Sequence, residues 1–181
     1  MREIRFHGKG GQGVVKSAQL LVKSVVDTGS YAHFIPSFGV ERKGSPVHGF
    51  YRQDDSEILA KTQIEAPDAI VVYDDSLFKN AITLEGLNPE ATIIVNTRRS
   101  LTELQEEAKL PKEFTNVYGV NATDIAEETI KRDIPSTVML GAYAKVLDGV
   151  DWETLKTNIG AKFGTANIEA AQQGYDSVTK L

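Results

Sequence analysis

Three glycines near the start of the chain, Gly8, Gly10 and Gly13, follow the spacing G-x-G-x-x-G within the stretch FHGKGGQGVV. A phosphate group is bound by backbone N–H groups that point inward at the start of a helix, and side chains would block its approach. Glycines with this spacing therefore predict an anion-binding turn, and Lys9 and Gln12 supply two side chains that could reach the anion. The alternative is that the glycines only permit a tight strand-to-helix turn and close packing.

The residues around this turn argue against two common nucleotide-binding classes. A dinucleotide site of the NAD type needs an acidic residue at the end of the second strand, about 20 residues further on. The second strand candidate ends in HFIPS, which has no Asp or Glu. A P-loop needs Lys and then Ser or Thr at its end, but Val14 and Val15 follow Gly13. The sequence therefore argues against NAD binding and gives little support to ATP hydrolysis.

A second stretch whose side chains could bind a ligand is FIPSFGVERKGSPVHGFYR, which is rich in Pro and Gly and carries Glu41, Arg42 and Lys43. Its breakers predict a charged loop between two strand candidates. In a doubly wound sheet this loop lies at the same carboxyl edge as the glycine turn, so the two loops can share one crevice. Arg42 could then hold a phosphate or carboxylate through two hydrogen bonds. The alternative is a charged loop that only faces solvent.

The elements that position these stretches alternate between strands and helices. Ile4 and Phe6 alternate with polar residues before the glycine turn, and apolar residues at steps of three and four follow from Val14 until Gly29. The other strand candidates cover residues 32–35, 47–52, 69–74, 92–97 and 116–122. This order predicts an α/β fold with one domain over residues 1–181. Its core would be a Rossmann-like doubly wound, mostly parallel sheet, followed by a helical C-terminal third.

Helix boundaries in the second half of the chain are predicted from caps and breakers. One short helix should begin near Asp75, and another where Asp124 and Glu127 have the spacing of a capping box. Pro135 opens a further helical stretch, in which Gly141 is expected to let the helix approach the sheet closely. Two more helices are expected at about 151–164 and from about residue 165 onward.

Composition excludes several classes of function. A net charge of −5 and a pI near 5.3 provide no basic surface for a nucleic acid. The chain has no cysteine, which excludes disulfides, thiolate metal sites, a Cys nucleophile and an iron–sulfur cluster held by its own thiolates. The three histidines, His7, His33 and His48, are too scattered to predict a metal site, and no catalytic residue is predicted. No apolar run reaches the length of a membrane span or a signal peptide, so we expect a cytoplasmic protein.

Several stretches together resemble, in this order, the gamma subunit of 2-oxoacid:ferredoxin oxidoreductases, most nearly the pyruvate type. The stretches are RFHGKGGQGVVKSAQLL, FIPSFGVERKGSPVHGFYR, PDAIVVYDDSL, IIVNT and IPSTVMLGAYAKV. The resemblance covers nearly the whole chain and is most specific at the glycine turn, the PSFGVER-x-G-x-P segment and the P-x-T-x-MLGA segment. One departure is His48, which stands where small or apolar residues are common.

The resemblance implies a subunit of a multi-chain enzyme that oxidatively decarboxylates a 2-oxoacid with CoA to acyl-CoA and CO2 and reduces ferredoxin. It implies partner subunits of the alpha, beta and delta types, which hold thiamine diphosphate and 4Fe-4S clusters, so this chain alone would be inactive. Coenzyme A is the co-substrate associated with the gamma chain. Carried onto this sequence, the residues expected to contact CoA are Gly10, Gly11, Gln12, Gly13, Glu41 and Arg42. For the last two, contact with a neighbouring subunit is the open alternative.

Two other interpretations remain open at the level of the sequence. A complex that acts on another 2-oxoacid, such as phenylglyoxylate or 2-oxoglutarate, would leave this chain almost unchanged, because other subunits build the acyl pocket. A free-standing nucleotide-binding regulatory module would use the same glycine turn without joining any complex.

Overall fold

Strands and helices alternate along residues 1–37 and 44–181, which are the residues that the computed structural model describes. The strands are β1 (Arg2–Lys9), β2 (Tyr31–Ser37), β3 (Pro46–Asp54), β4 (Ala69–Val72), β5 (Thr92–Asn96), β6 (Val117–Val120) and β7 (Thr179–Lys180). The helices are α1 (Val14–Asp27), α2 (Ala81–Leu84), α3 (Leu101–Glu106), α4 (Ala122–Ile130), α5 (Ser136–Val146), α6 (Trp152–Phe163) and α7 (Thr165–Ser177). A 3₁₀ helix at Asp75–Lys79 lies between β4 and α2.

The described strands form one sheet in the order β2-β3-β1-β4-β5-β6-β7. The central strands β1, β4, β5 and β6 pair in parallel, while β3 is antiparallel to both of its neighbours and β7 is antiparallel to β6. The prediction of a mostly parallel α/β sheet is confirmed. The position of β3 between β2 and β1 is not evident from the sequence pattern. Its antiparallel pairing with β2 follows from the short connection between these two strands, because neighbouring parallel strands need a longer crossover.

The two faces of the sheet are covered differently. The larger core lies on the face of Ile4 and Phe6, where buried side chains of α1 and α4 to α7 pack against the strands. The other face carries Ile70 and Val72, and the 3₁₀ helix, α3 and the connecting segments cover it. The helical C-terminal third is confirmed, and it lies over one face of the sheet.

Helices α5 and α7 approach each other closely through two glycines. A Cβ atom added to Gly141 would lie 1.8 Å from the carbonyl oxygen of Ala171, and one added to Gly174 would lie 2.2 Å from the carbonyl oxygen of Val138. The expectation that Gly141 lets its helix approach the sheet is wrong, because this glycine faces α7. The close crossing fixes how the starts of α5 and α7 lie relative to each other.

Two helix starts differ from the capping predictions. The residue that caps α4 is Asn121, whose side chain accepts from the backbone N–H of Asp124, so the helix begins directly after β6. The predicted Asp124–Glu127 box does not form, because Asp124 already lies in the first turn of this helix. The 3₁₀ helix is capped by Asp74, one residue before the expected Asp75.

Candidate functional site

The glycine turn joins β1 to α1 and requires glycine for two physical reasons. Gly11 and Gly13 have φ angles of 101° and 81°, in the left-handed region that L-residues with side chains avoid. A Cβ atom on Gly13 would also lie 2.7 Å from the hydroxyl oxygen of Ser136 at the start of α5. The glycines therefore do permit a tight turn and close packing, which is the alternative to anion binding that the sequence leaves open. This packing also brings the starts of α1 and α5 into contact.

The side chain of Gln12 is engaged inside the turn. Its Oε1 atom accepts from the backbone N–H of Lys9 at 2.8 Å, and its Nε2 atom lies 3.4 Å from the Asp74 carboxylate. The Lys9 ammonium group donates to Asp74 at 2.8 Å and to the hydroxyl of Ser76 at the same distance. Burial disfavours ionisation of Asp74, but hydrogen bonds from Lys9 and Ser76 and the Lys9 charge together hold its pKa below its usual value. Both side chains are thus directed towards the end of β4.

The second loop meets the glycine turn at the same edge of the sheet. The N–H of Gly10 donates to the carbonyl of Ser45 at 2.9 Å, and the carbonyl of Gly10 accepts from the N–H of Gly44 at 3.1 Å. The end of this loop therefore lies beside the glycine turn, as the sheet topology predicts. Glu41 and Arg42 lie outside the described residues, and their part in a site remains a prediction.

A cleft of about 680 Å³ opens beside the glycine turn, and we call it the glycine-turn cleft. Its walls come from the turn, the start of α1, the end of α4 with the following connection, and the starts of α5 and α7. Gly10, Gly11 and Gly13 line it, so three of the four predicted turn residues border one cavity. The volume lies within the range of about 300–1,000 Å³ that is usual for small-molecule sites.

Three helices begin at the glycine-turn cleft, and their starts contact each other. Among the helices of the described residues, α1, α5 and α7 start without a side-chain hydrogen bond at the cap, whereas each of the other helical segments has one. The first amides of a helix have no partner within the helix. The hydroxyl of Thr137 in α5 donates to Asn167 in α7 at 3.1 Å, and Gly13 abuts Ser136. The positive ends of three helix dipoles therefore border one cavity.

The charged residues of the described cleft wall are all basic, and the ammonium group of one of them, Lys9, is bound to Asp74 outside this wall. Lys9, Lys16 and Arg132 line the cleft, and no acidic residue is among the described residues of its wall, although the chain has a net charge of −5. Lys16 and Arg132 are exposed, and they stand on different walls, in α1 and in the connection between α4 and α5. The rest of the wall is largely apolar, and includes Val15 and Ile134. The cavity therefore suits a ligand with both anionic and apolar parts.

Lys16, Arg132 and the starts of α5 and α7 were not predicted from the sequence. A signal for the two helix starts does exist there, because Pro135 and Gly164 stand where a capping side chain is usual. What the sequence could not provide is that both starts face the glycine turn. That arrangement depends on the α5–α7 crossing.

A second, more polar crevice lies at the carboxyl ends of β4, β5 and β6. Asp75 there accepts from the hydroxyl of Thr97 and from the guanidinium of Arg99, both at 2.6 Å. Asn96 accepts from the amides of Ala122 and Thr123 at the start of α4. The polar groups of this crevice thus bond largely to one another.

His7 and His48 lie opposite each other on β1 and β3, with ring centres 6.0 Å apart. Burial, together with the charges of Arg5 and His48, lowers the pKa of His7 to about 3. His7 is therefore neutral in the folded protein near neutral pH. Within residues 1–37 and 44–181, no group of three His, Asp or Glu side chains stands close enough together to hold a metal ion.

Comparison with known proteins identifies the family to which this architecture belongs. The sequence pattern of the pyruvate ferredoxin/flavodoxin oxidoreductase family matches residues 3–177. The chain belongs to this family. It is 41% identical over 180 residues to the "Pyruvate/ketoisovalerate oxidoreductases common subunit gamma" of Pyrococcus abyssi, an alignment that covers 97% of the chain and 96% of that relative.

Two solved structures have the same fold. The pyruvate oxidoreductase subunit PORC of Thermotoga maritima is 32% identical, with a TM-score of 0.83 over 98% of this chain and 97% of that one. The 2-oxoglutarate:ferredoxin oxidoreductase of Magnetococcus marinus, solved with 2-oxoglutarate, coenzyme A and succinyl-CoA bound, is 19% identical with a TM-score of 0.78. This match covers 99% of the present chain but only 32% of that longer chain, and it shows similarity of fold.

The resemblance inferred from the sequence motifs is confirmed. This member of the pyruvate ferredoxin/flavodoxin oxidoreductase family is a gamma-type subunit of a 2-oxoacid:ferredoxin oxidoreductase complex. In the part of the chain that the structure describes, no helix has both the length and the apolar character required to cross a membrane.

Proposed function

We propose that this chain binds coenzyme A in the glycine-turn cleft and supplies it to a complex that oxidatively decarboxylates pyruvate and reduces ferredoxin. The observation that carries the proposal is the convergence on one cavity of three helix starts without side-chain caps, in a wall whose charged members among the described residues are all basic, although the chain is acidic. Helix starts and basic side chains both favour bound phosphate. The M. marinus structure, solved with coenzyme A bound, provides a precedent for CoA in a related complex.

CoA has anionic phosphates and a largely apolar arm, which match the basic and the apolar parts of the cleft wall. The diphosphate of CoA suits the first amides of α1 and the side chain of Lys16, which follow directly after the glycine turn. Arg132, on another wall, is placed to bind a second phosphate of the same molecule. The largely apolar pantetheine arm suits Val15, Ile134 and their apolar neighbours.

The role proposed for this chain is binding and assembly rather than bond making. Because it has no cysteine, its own side chains cannot ligate an iron–sulfur cluster through thiolates. Thiamine diphosphate and 4Fe-4S clusters would be held by the alpha, beta and delta-type subunits, where decarboxylation and electron transfer to ferredoxin take place. Gln12, Glu41 and Arg42 stay predicted contacts, the first to CoA and the other two to CoA or a neighbouring subunit.

Charge reversal on two walls of the cleft tests the CoA proposal. In the assembled complex, K16E/R132E should raise the KM for CoA at least about tenfold, because hydrogen bonds to charged groups contribute about 1.5–3 kcal/mol each. The KM for the 2-oxoacid should stay within about twofold, since that substrate binds elsewhere. The matched control is K61E/K180E, which makes the same charge change at exposed residues outside the cleft wall. A CoA KM that responds equally to both variants would contradict binding at this cleft.

Assembly and substrate are tested separately. The chain, purified through a tag from its own host, should emerge with larger subunits that carry thiamine diphosphate and iron–sulfur clusters, and only that complex should turn over a 2-oxoacid. Among pyruvate, 2-oxoisovalerate, phenylglyoxylate and 2-oxoglutarate, pyruvate should give the highest kcat/KM. A chain that migrates alone in gel filtration of native extract would favour the regulatory module instead.

A further inference from the structure

Tyr73 lies directly beneath the glycine turn, although it belongs to a different part of the chain. It is the first residue after β4 and is fully buried. Its N–H donates to the carbonyl of His7 at 2.8 Å, which extends the pairing of β4 with β1 to the edge of the turn. A Cβ atom on Gly8 would lie 3.2 Å from the Cβ atom of Tyr73, so Tyr73 packs against the end of β1, directly before the turn.

The hydroxyl of Tyr73 reaches the first turn of α1. It lies 2.7 Å from the hydroxyl oxygen of Ser17, which is buried, and Ser17 in turn donates to the carbonyl of Val14 at 2.9 Å. Because the Ser17 proton is directed at Val14, Tyr73 is the donor in its bond to Ser17. Burial raises the pKa of Tyr73 well above its usual value, so the donated proton stays on the tyrosine.

We infer that Tyr73 is a positioning residue for CoA, which acts through Ser17 to fix the first turn of α1 against the sheet. This inference rests on the proposed function of the glycine-turn cleft. The amides of Val14, Val15 and Lys16 belong to the turn that Ser17 closes, and all three residues line the cleft. A helix start binds phosphate well only when its amides are held in the required orientation, because binding energy is otherwise lost in ordering them. Neither Tyr73 nor Ser17 needs to touch the ligand.

A purely structural role for Tyr73 predicts a different result, and the chain contains the control. Tyr143 is also a fully buried tyrosine of the same core, and its hydroxyl lies 3.4 Å from the side-chain oxygen of Gln53, which Tyr51 also contacts. None of these three residues lines the cleft. The change Tyr143→Phe therefore removes a buried hydroxyl without disturbing the start of α1.

The test compares Y73F, S17A and Y143F in the assembled complex. Y73F and S17A should each raise the KM for CoA about fivefold, the effect expected for loss of about one net hydrogen bond, with kcat and the KM for the 2-oxoacid within about twofold of wild type. The Y73F/S17A double variant should raise it no more than the larger single change, because both remove one link. Y143F, which also removes a buried hydroxyl, should leave the KM for CoA unchanged.

The outcomes separate this inference from the proposal on which it rests. If K16E/R132E raises the CoA KM but Y73F and S17A do not, Tyr73 is not a positioning residue and the CoA site stands. Equal effects of Y73F and Y143F on the CoA KM would also overturn the inference, since they would report only a loosened core. If no variant, including K16E/R132E, changes the CoA KM, the proposed site itself is wrong. Should Y73F fail to assemble, S17A tests the same link, and an unchanged CoA KM in S17A would overturn the inference.

Discussion

Replacing Gly141 by Ala should destabilise the fold, although alanine is the better helix former. The methyl group would lie 1.8 Å from the carbonyl oxygen of Ala171 and 2.8 Å from the backbone nitrogen of Tyr175. Both obstacles are backbone atoms of α7, so the whole helix must move to make room. An extra methyl in a packed core costs about 1–3 kcal/mol, and the rigid obstacle puts this case near the upper end. The higher helix propensity of alanine offsets about 1 kcal/mol of this cost, so the free energy of unfolding should fall by about 2 kcal/mol.

Thermal unfolding of the purified chain measures this loss. A change of about 2 kcal/mol corresponds to a melting temperature lower by about 4–8 °C for a domain of this size. The fluorescence of Trp152, the only tryptophan, follows the transition, because its ring stacks on Tyr175 of α7 at 4.8 Å. The control is Gly160→Ala in α6, where the nearest atom is the flexible end of Ile168 at 2.6 Å. A G141A chain as stable as wild type would refute the close backbone contact.

The remaining predictions concern His7 and Gly13. The pKa of His7 is about 3 in the folded protein against an ordinary 6.5, so the unfolded chain binds the extra proton and stability should fall as the pH drops below about 6.5. Urea unfolding of H7F should show a smaller loss of unfolding free energy between pH 7 and about 4.5 than wild type shows. Asp74 does not contribute in this window, because its pKa is below its usual value. An H7F chain with the pH dependence of wild type would contradict this prediction. Gly13→Ala should weaken both folding and CoA binding, because φ is 81° and Ser136 occupies the space of the methyl group. Stability and CoA affinity equal to those of wild type would contradict this reasoning.

Much of the fold could be predicted from local sequence signals. The apolar runs around Ile70 and Ile93 predicted central parallel strands, and both are buried in the sheet. The glycine spacing predicted the strand-to-helix turn at Gly13, because few other residues accept its backbone conformation. These features depend on residues that are close together in sequence.

The predictions for Asp124 and Gly141 were wrong because residues distant in sequence make the contacts that local patterns assign to near neighbours. Asp124 has the spacing to cap a helix, but Asn121 and, from β5, Asn96 satisfy the amides at the start of α4. Gly141 faces α7 rather than the sheet because another glycine, Gly174, lets the two helices cross. Local patterns cannot reveal such long-range pairings.

The candidate site was predicted only in part for the same reason. The glycines of the turn were evident from their spacing, and Gly10, Gly11 and Gly13 do line the cleft. Nothing in the sequence distinguishes Lys16 and Arg132 from other basic residues. They become candidate ligand contacts because the starts of α5 and α7 lie at the glycine turn and complete a cleft that both residues line. The sequence could not show that the Gln12 side chain bonds to Lys9 and Asp74, and its contact with CoA stays a prediction.

A structure of the assembled complex with CoA bound would show directly whether the glycine-turn cleft is the CoA site. We expect the CoA diphosphate within hydrogen-bond distance, about 3 Å, of the amides of Val14 to Lys16, with Arg132 near a second phosphate. We also expect the pantetheine arm to lie against the apolar wall of the cleft. CoA bound in full elsewhere in the complex, with its phosphates held by another subunit and this cleft empty, would contradict the proposed site.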